Sequence, residues 1–214
     1  MRILVFGASG GTGREIVRQA LIRGDLEVTA FVRDPASLEP ASRLRILQGD
    51  VLDADAVAAA TQNQDAVLSA LGGKNSANAD LLQHAIPNII AGMQSNGVRR
   101  LIVLSAAGAA DMNEALRHQR MFAKVMFRTV AATVLSGPMH DHAAQERIVR
   151  DCELDYTIVH SARFSDEPVV GRYRVEEDAL PAGATTISRS SVAEFMLDQL
   201  DTKKYVRKAP YIGV

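Results

Sequence analysis

Met1-Arg2-Ile3-Leu4-Val5-Phe6-Gly7-Ala8-Ser9-Gly10-Gly11-Thr12-Gly13 is the stretch whose reading decides the fold. Ile3 to Phe6 is an apolar run of strand length, and the glycines follow at once. Ile16, Val17, Ala20 and Leu21 then recur on one helical face, with Arg14, Arg18 and Arg23 elsewhere and Gly24 at the stop. A strand, a glycine turn and a helix form the unit in which backbone must approach a diphosphate, and residues without Cβ allow the approach. The helix N-terminus then offers unpaired N–H groups and a positive dipole end. The competing reading is a purely structural turn, but the strand before it and the helix after it favour a nucleotide. Gly7, Ser9, Gly10, Gly11, Thr12 and Gly13 are therefore the candidate phosphate-binding residues.

Outward from this unit, strand-length runs alternate with helix-periodic segments. Strands are expected near Glu27–Val32, Arg43–Leu47, Ala66–Ala70, Leu101–Leu104 and Tyr156–Val159, and helices near Ala54–Ala60 and Ala79–Ser95. Met112 to Leu135 reads as helical, Ser136-Gly137-Pro138 as a break, and His142 to Arg150 as a resumed helix. Beyond the sixth strand the pattern loosens, with extended pieces at Tyr173–Val175 and Thr185–Ile187. A last helix, Ser191–Leu200, is expected under a Ser190 cap, or a Ser191 cap with Glu194 at capping-box distance. This alternation predicts an α/β class, a Rossmann doubly wound parallel sheet flanked by helices, with 1–214 as one domain. Segments 106–145 and 161–190 are left to form the substrate-side wall.

Composition narrows the function classes. The 24 basic and 25 acidic residues nearly cancel, which removes the usual electrostatic ground for nucleic acid or an anionic membrane as partner. The single cysteine, Cys152, allows no internal disulfide, and Asp151 and Glu153 beside it should raise its pKa. The first apolar run ends in glycines, not in a secretory cleavage site, and no run reaches the roughly 20 apolar residues of a membrane span. A cytoplasmic protein acting on a small molecule, a monomer or weak homodimer, is expected.

Three strand ends carry further candidates. After Phe31-Val32 an NAD site usually places a carboxylate, whereas Arg33 here could clamp a 2′-phosphate, with Asp34 pairing locally. The other reading is a surface arginine opening the turn at Asp34-Pro35. Asp50 and Val51, ending the third strand, could accept from and donate to an adenine, or Asp50 could be a turn aspartate. Leu71, Gly72 and Gly73 end the fourth strand, where small residues let a nicotinamide lie against the sheet. NADP(H) is thus the preferred cofactor, with NAD(H) possible.

The motifs GASGGTG (7–13), FVRD (31–34), GDVLDADAV (49–57), QDAV (64–67), LGG (71–73), DYTIV (155–159) and the DxPxxGxY run at 166–173 resemble an atypical short-chain dehydrogenase/reductase family nearly end to end. That family contains biliverdin reductase B, also called NADPH-dependent flavin reductase, and the NmrA-like proteins. The resemblance implies a reductase that delivers hydride from NADPH to a flat conjugated acceptor such as a flavin, FMN included, a biliverdin-like tetrapyrrole or a quinone. Where biliverdin reductase B has a serine after the fifth strand and a histidine after the sixth, this chain has Ala106 and Arg163, with Ser105 one residue earlier.

The Tyr-x-x-x-Lys acid of the wider family is missing. Tyr156, Tyr173 and Tyr205 are followed four places on by His160, Glu177 and Ala209, so alcohol–ketone chemistry is not expected. A conjugated acceptor spreads the charge that hydride brings, and ring alignment can then carry catalysis. Ser105 at the sheet edge, also a candidate cofactor-binding residue beside the nicotinamide, Arg163 as an anion holder and His142 in the substrate wall are the catalytic candidates, each with a structural reading beside it. His140-Asp141-His142 lacks a third and fourth ligand, so no metal is expected. His160 stands where related proteins often show Arg-Pro. The alternative function is a non-catalytic NADP(H) sensor of NmrA-like type.

Overall fold

The computed structural model describes residues 1–72, 80–133, 136–165 and 173–214. Six strands of the main sheet run in the order expected of a Rossmann core: β1 (Arg2–Phe6), β2 (Glu27–Val32), β3 (Leu44–Gln48), β4 (Ala66–Ser69), β5 (Arg100–Ala106) and β6 (Asp155–Ser161) lie as β3-β2-β1-β4-β5-β6, all parallel. Alternation along β1 sends Ile3 and Val5 into one core and Leu4 and Phe6 into the other. Helices α1 (Gly11–Arg23) and α7 (Arg189–Asp198) cover the first face. α2 (Ala54–Thr61), α3 (Leu81–Ser95) and α6 (Ser136–Asp151) cover the second. With both faces covered, strands such as β1 and β4 are near-continuous apolar runs.

Two features go beyond the sequence reading. A short strand β10 (Tyr211–Gly213) pairs parallel with the head of β6, Tyr211 opposite His160, and antiparallel with β8 (Arg174–Glu176). β7 (Arg163–Ser165) and β9 (Thr186–Ser188) form a separate two-stranded sheet against it. A Cβ on Gly213 would lie 2.9 Å from Ala184 Cβ and 3.3 Å from Ala162 Cβ, so the two sheets meet at this glycine.

The helical expectations need three corrections. Met112 to Leu135 is not one helix: α4 (Met112–Ala115), capped by Asp111, stops before α5 (Met121–Thr133). Ser136-Gly137-Pro138 does not break a helix but starts α6, because proline in a first turn gives up an N–H that has no intrahelical partner there. The cap of α7 is Ser188, whose hydroxyl accepts from Ser191 N at 3.1 Å, in place of Ser190 or Ser191. Burial is the first cause of the raised Cys152 pKa, and Asp151 contributes least. No helix among the described residues is long and apolar enough to cross a membrane.

Candidate nucleotide and acceptor site

β1 is flanked by β2 on one side and β4 on the other, so the connections diverge and open a crevice at the carboxyl ends of these strands. The glycine turn leaves β1 at this point. Gly7 has φ +75°, and a Cβ there would lie 2.6 Å from the Ala70 carbonyl oxygen; one on Gly13 would lie 2.1 Å from the Gly7 oxygen. Gly7 and Gly13 therefore press turn, helix and the end of β4 together, while Gly10 N donates to Gly7 O at 2.9 Å. Ser9 and Gly11 are the exposed members. Gly10 caps α1 with no side-chain hydrogen bond, and the first turn has no acidic residue. The opening N–H groups are thus left for an anionic ligand, a cradle that fits a dinucleotide diphosphate.

A cation that the sequence reading missed stands beside the cradle. A Cβ on Gly11 would come within 2.7 Å of Arg189 Cδ and Nε, and the guanidinium carbon is 4.9 Å from the Phe164 ring centre. No spacing rule links residues 11 and 189. The packing of α1 on α7 does, through Gln19 Nε2 to Ser190 O at 2.9 Å and the Arg23–Asp198 ion pair.

Arg33 is exposed at the end of β2, and its side chain has no hydrogen bond or ion pair to another described residue. Asp34 turns away as expected, its Oδ1 accepting from Ala36 N at 3.0 Å. Asp50 is engaged as a turn aspartate, Oδ1 accepting from Leu52 N at 3.0 Å. The buried Val51 is tied to α3 through Asn88 Nδ2, which donates to its carbonyl at 3.1 Å. Leu71 and Gly72 follow β4, and a Cβ on Gly72 would meet nothing within 4 Å. Gly73 and residues 166–172 of the DxPxxGxY run lie outside the described residues.

On the acceptor side, Ser105 Oγ donates to Glu146 Oε1 at 2.6 Å, and His160 Nε2 lies 2.8 Å from the same oxygen. Ser105 and Glu146 are each 1% exposed and His160 2%. Burial pushes the Glu146 carboxyl up, but His160, Ser105 and Arg150 together hold it below the usual carboxylate range. His142, one turn earlier on α6, has its pKa lowered by burial, with Asp141 and Glu146 opposing. The structure thus gathers Ser105 and His142 around Glu146, a residue the sequence reading did not single out. The signal was available: His142 and Glu146 are four apart on a helix and share a face.

Arg163 does not join them; it is exposed on β7, without an ion pair among the described residues. Asp141 is spent on α3, its carboxylate accepting from Leu82 N at 2.9 Å and Gln83 N at 3.0 Å, so it is no partner for a metal. Burial raises the phenol pKa of both Tyr173 and Tyr211, which makes them weaker acids.

Residues 7–203 match the model of an NAD(P)H-binding family. The photosystem II assembly factor Ycf39 of Synechocystis is 26% identical over the whole chain, which spans 63% of that relative's length. Among solved structures, a short-chain dehydrogenase/reductase of Veillonella parvula in complex with NADP is 17% identical with a TM-score of 0.80, covering 100% of this chain and 94% of that one. An anaerobillin reductase from Escherichia coli O157:H7 is 20% identical with a TM-score of 0.77, covering 99% and 96%. These two likenesses concern the fold, and the family match covers nearly the whole chain: the protein belongs to the NAD(P)H-binding family.

Proposed function

We propose that the chain is an NADP(H)-dependent reductase for a flat, conjugated acceptor: a flavin, a biliverdin-like tetrapyrrole or a quinone. The observation that carries this reading is the site's chemistry. A diphosphate cradle lies beside the ends of β5 and β6, which bring Ser105 and His160 onto Glu146 of α6 but offer no tyrosine–lysine acid. Such a site is poorly equipped to protonate an alkoxide and suited to an acceptor that delocalises charge. Bound in the crevice, the reduced nicotinamide supplies the hydride. The glycine turn holds the diphosphate, Arg33 takes the 2′-phosphate and so prefers NADP(H) to NAD(H), and Leu71 and Gly72 leave room beside β4.

On this reading the described parts of segments 106–145 and 161–190 wall the acceptor side, which leaves proximity as the main source of rate. A biliverdin reductase B-like activity fits this reading, and a protein with the same fold is a reductase of anaerobillin. The test is stopped-flow oxidation of NADPH with FMN, riboflavin, biliverdin and a panel of quinones; no turnover with any of them removes the proposal. The second reading is a dinucleotide sensor, favoured by the missing acid pair and by the relative described as an assembly factor. It requires a protein partner whose binding depends on the oxidation state of the cofactor, and pull-downs with NADP+ and NADPH decide it.

A further inference from the structure

Gly11 opens α1 and stands exposed in the glycine turn. Its φ is not positive, so conformation does not demand a glycine there; space does. A Cβ would come within 2.7 Å of both Cδ and Nε of Arg189 and 3.6 Å of the guanidinium carbon. By covalent geometry, Arg189 Nε then lies within about 5 Å of Gly11 N. One phosphate group, accepting from both at ordinary hydrogen-bond lengths, spans that gap. The guanidinium is also held in place: Arg189 is half-buried, and its charge sits 4.9 Å from the ring centre of Phe164 on β7. Arg189 itself opens α7, and neither α7 nor α1 has an acidic residue in its first turn. The arginine thus adjoins one helix start and begins another, both of which attract anions. Arg14, in the first turn of α1, is engaged within the turn, its Nε donating to Ser9 O at 2.9 Å.

We propose that Arg189 is a diphosphate-binding residue: its guanidinium and the opening N–H groups of α1 grip the same phosphate of the cofactor, and Gly11 lacks a side chain so that the arginine can reach it. This rests on the nucleotide reading of the crevice above. The two arginines then divide the work. Arg33 sorts NADP(H) from NAD(H) at the 2′-phosphate, whereas Arg189 holds the part that the two cofactors share. The planar fork of a guanidinium suits two phosphate oxygens at once, which a lysine at this place would not match.

The test is titration calorimetry on the full chain with NADP+, NAD+ and 2′-AMP, which carries the 2′-phosphate but no diphosphate. Arg189→Met keeps most of the stem beside Gly11 and removes the charge. NADP+ and NAD+ should both weaken about tenfold, the worth of one charge-assisted hydrogen bond, with their ratio unchanged. The affinity for 2′-AMP should stay as it was, which also shows that the variant is folded. Arg189→Lys should recover part of the loss. Gly11→Ala pushes the arginine aside, so it should weaken NADP+ in the wild-type background and do much less in the Arg189→Met background; a direct clash of the new methyl with the ligand would persist in both. Unchanged NADP+ affinity in Arg189→Met, a loss confined to NADP+, a parallel loss for 2′-AMP, or an equal Gly11→Ala effect in the two backgrounds overturns the proposal. Failure of the wild-type chain to bind NADP+ at all would overturn the nucleotide reading beneath it as well.

Discussion

Gly13→Ala tests the cradle most directly. The added Cβ would lie 2.1 Å from Gly7 O, 2.7 Å from Gly7 C and 2.8 Å from Ala8 Cα. All three atoms are backbone, so no side-chain rotation relieves them. Restoring a tolerable 3.0 Å requires the first turn of α1 to withdraw from the end of β1 by about 0.9 Å. Overpacking of this kind costs about 1–3 kcal/mol. Alanine recovers up to about 1 kcal/mol through helix propensity. With that recovery the net loss is up to about 2 kcal/mol, which lowers Tm by up to about 8 °C for a chain of this size. The same withdrawal moves the outward N–H groups off the diphosphate. Losing one charge-assisted hydrogen bond, worth about 1.5–3 kcal/mol, weakens NADPH about 10- to 100-fold. Scanning calorimetry and titration calorimetry measure the two effects, with Gly72→Ala as the control for melting alone because its Cβ meets nothing within 4 Å of the protein. If Gly13→Ala melts within about 1 °C of the wild type and binds NADPH equally well, the packing argument is wrong.

Arg33→Ala should weaken NADPH about tenfold or more while NADH changes little, because only the former carries the 2′-phosphate; equal weakening in paired titrations would remove the clamp. Ser188→Ala removes the cap of α7 and should cost about 1 kcal/mol in urea unfolding, and an unchanged midpoint would return the cap to Ser190. The Glu146 carboxyl is depressed in the folded chain, so its contribution is present above the ordinary carboxylate range and lost as pH falls through the lowered folded value. His142, also depressed, contributes above the usual histidine pKa, and that share is lost as pH drops through its folded value. Urea midpoints should therefore decline with acidification from pH 7, and Glu146→Gln should flatten the more acidic part of that decline.

The first half of the fold was legible because its signals are local. β1, α1 and β2 follow one another with apolar periods of two and 3.6 and a glycine turn between them, and neighbours in sequence are neighbours in space. The acceptor side was not, because its contacts are long-range. β10 is three residues long and finds its place only between β6 and β8, and Arg189 reaches Gly11 only through helix packing. Ser105 and His142 were legible as residue types at a sheet edge and on a helix. Glu146, the group that joins them, looked like any charged residue in an amphipathic helix until burial distinguished it. Arg163 was chosen from alignment with a relative, and the short sheet β7–β9 holds it at the surface.

β10 has a consequence for how the molecule assembles. The strands that frame the glycine turn come from residues 2–69, whereas the outer edge of β6 waits for a partner some fifty positions downstream: His160 N donates to Pro210 O at 2.9 Å and Ala162 N to Ile212 O at 3.1 Å. The β1–β4 pairing closes as long a stretch of chain, but β1 is registered along its length with both β2 and β4, whereas β10 meets β6 only at Tyr211 and Ile212 and so repays the loop closure less. Pulse-labelled amide exchange during refolding should protect Leu4 and Val5 before His160 and Ala162, so the molecule would pass through a state with its nucleotide half built and its acceptor half still open.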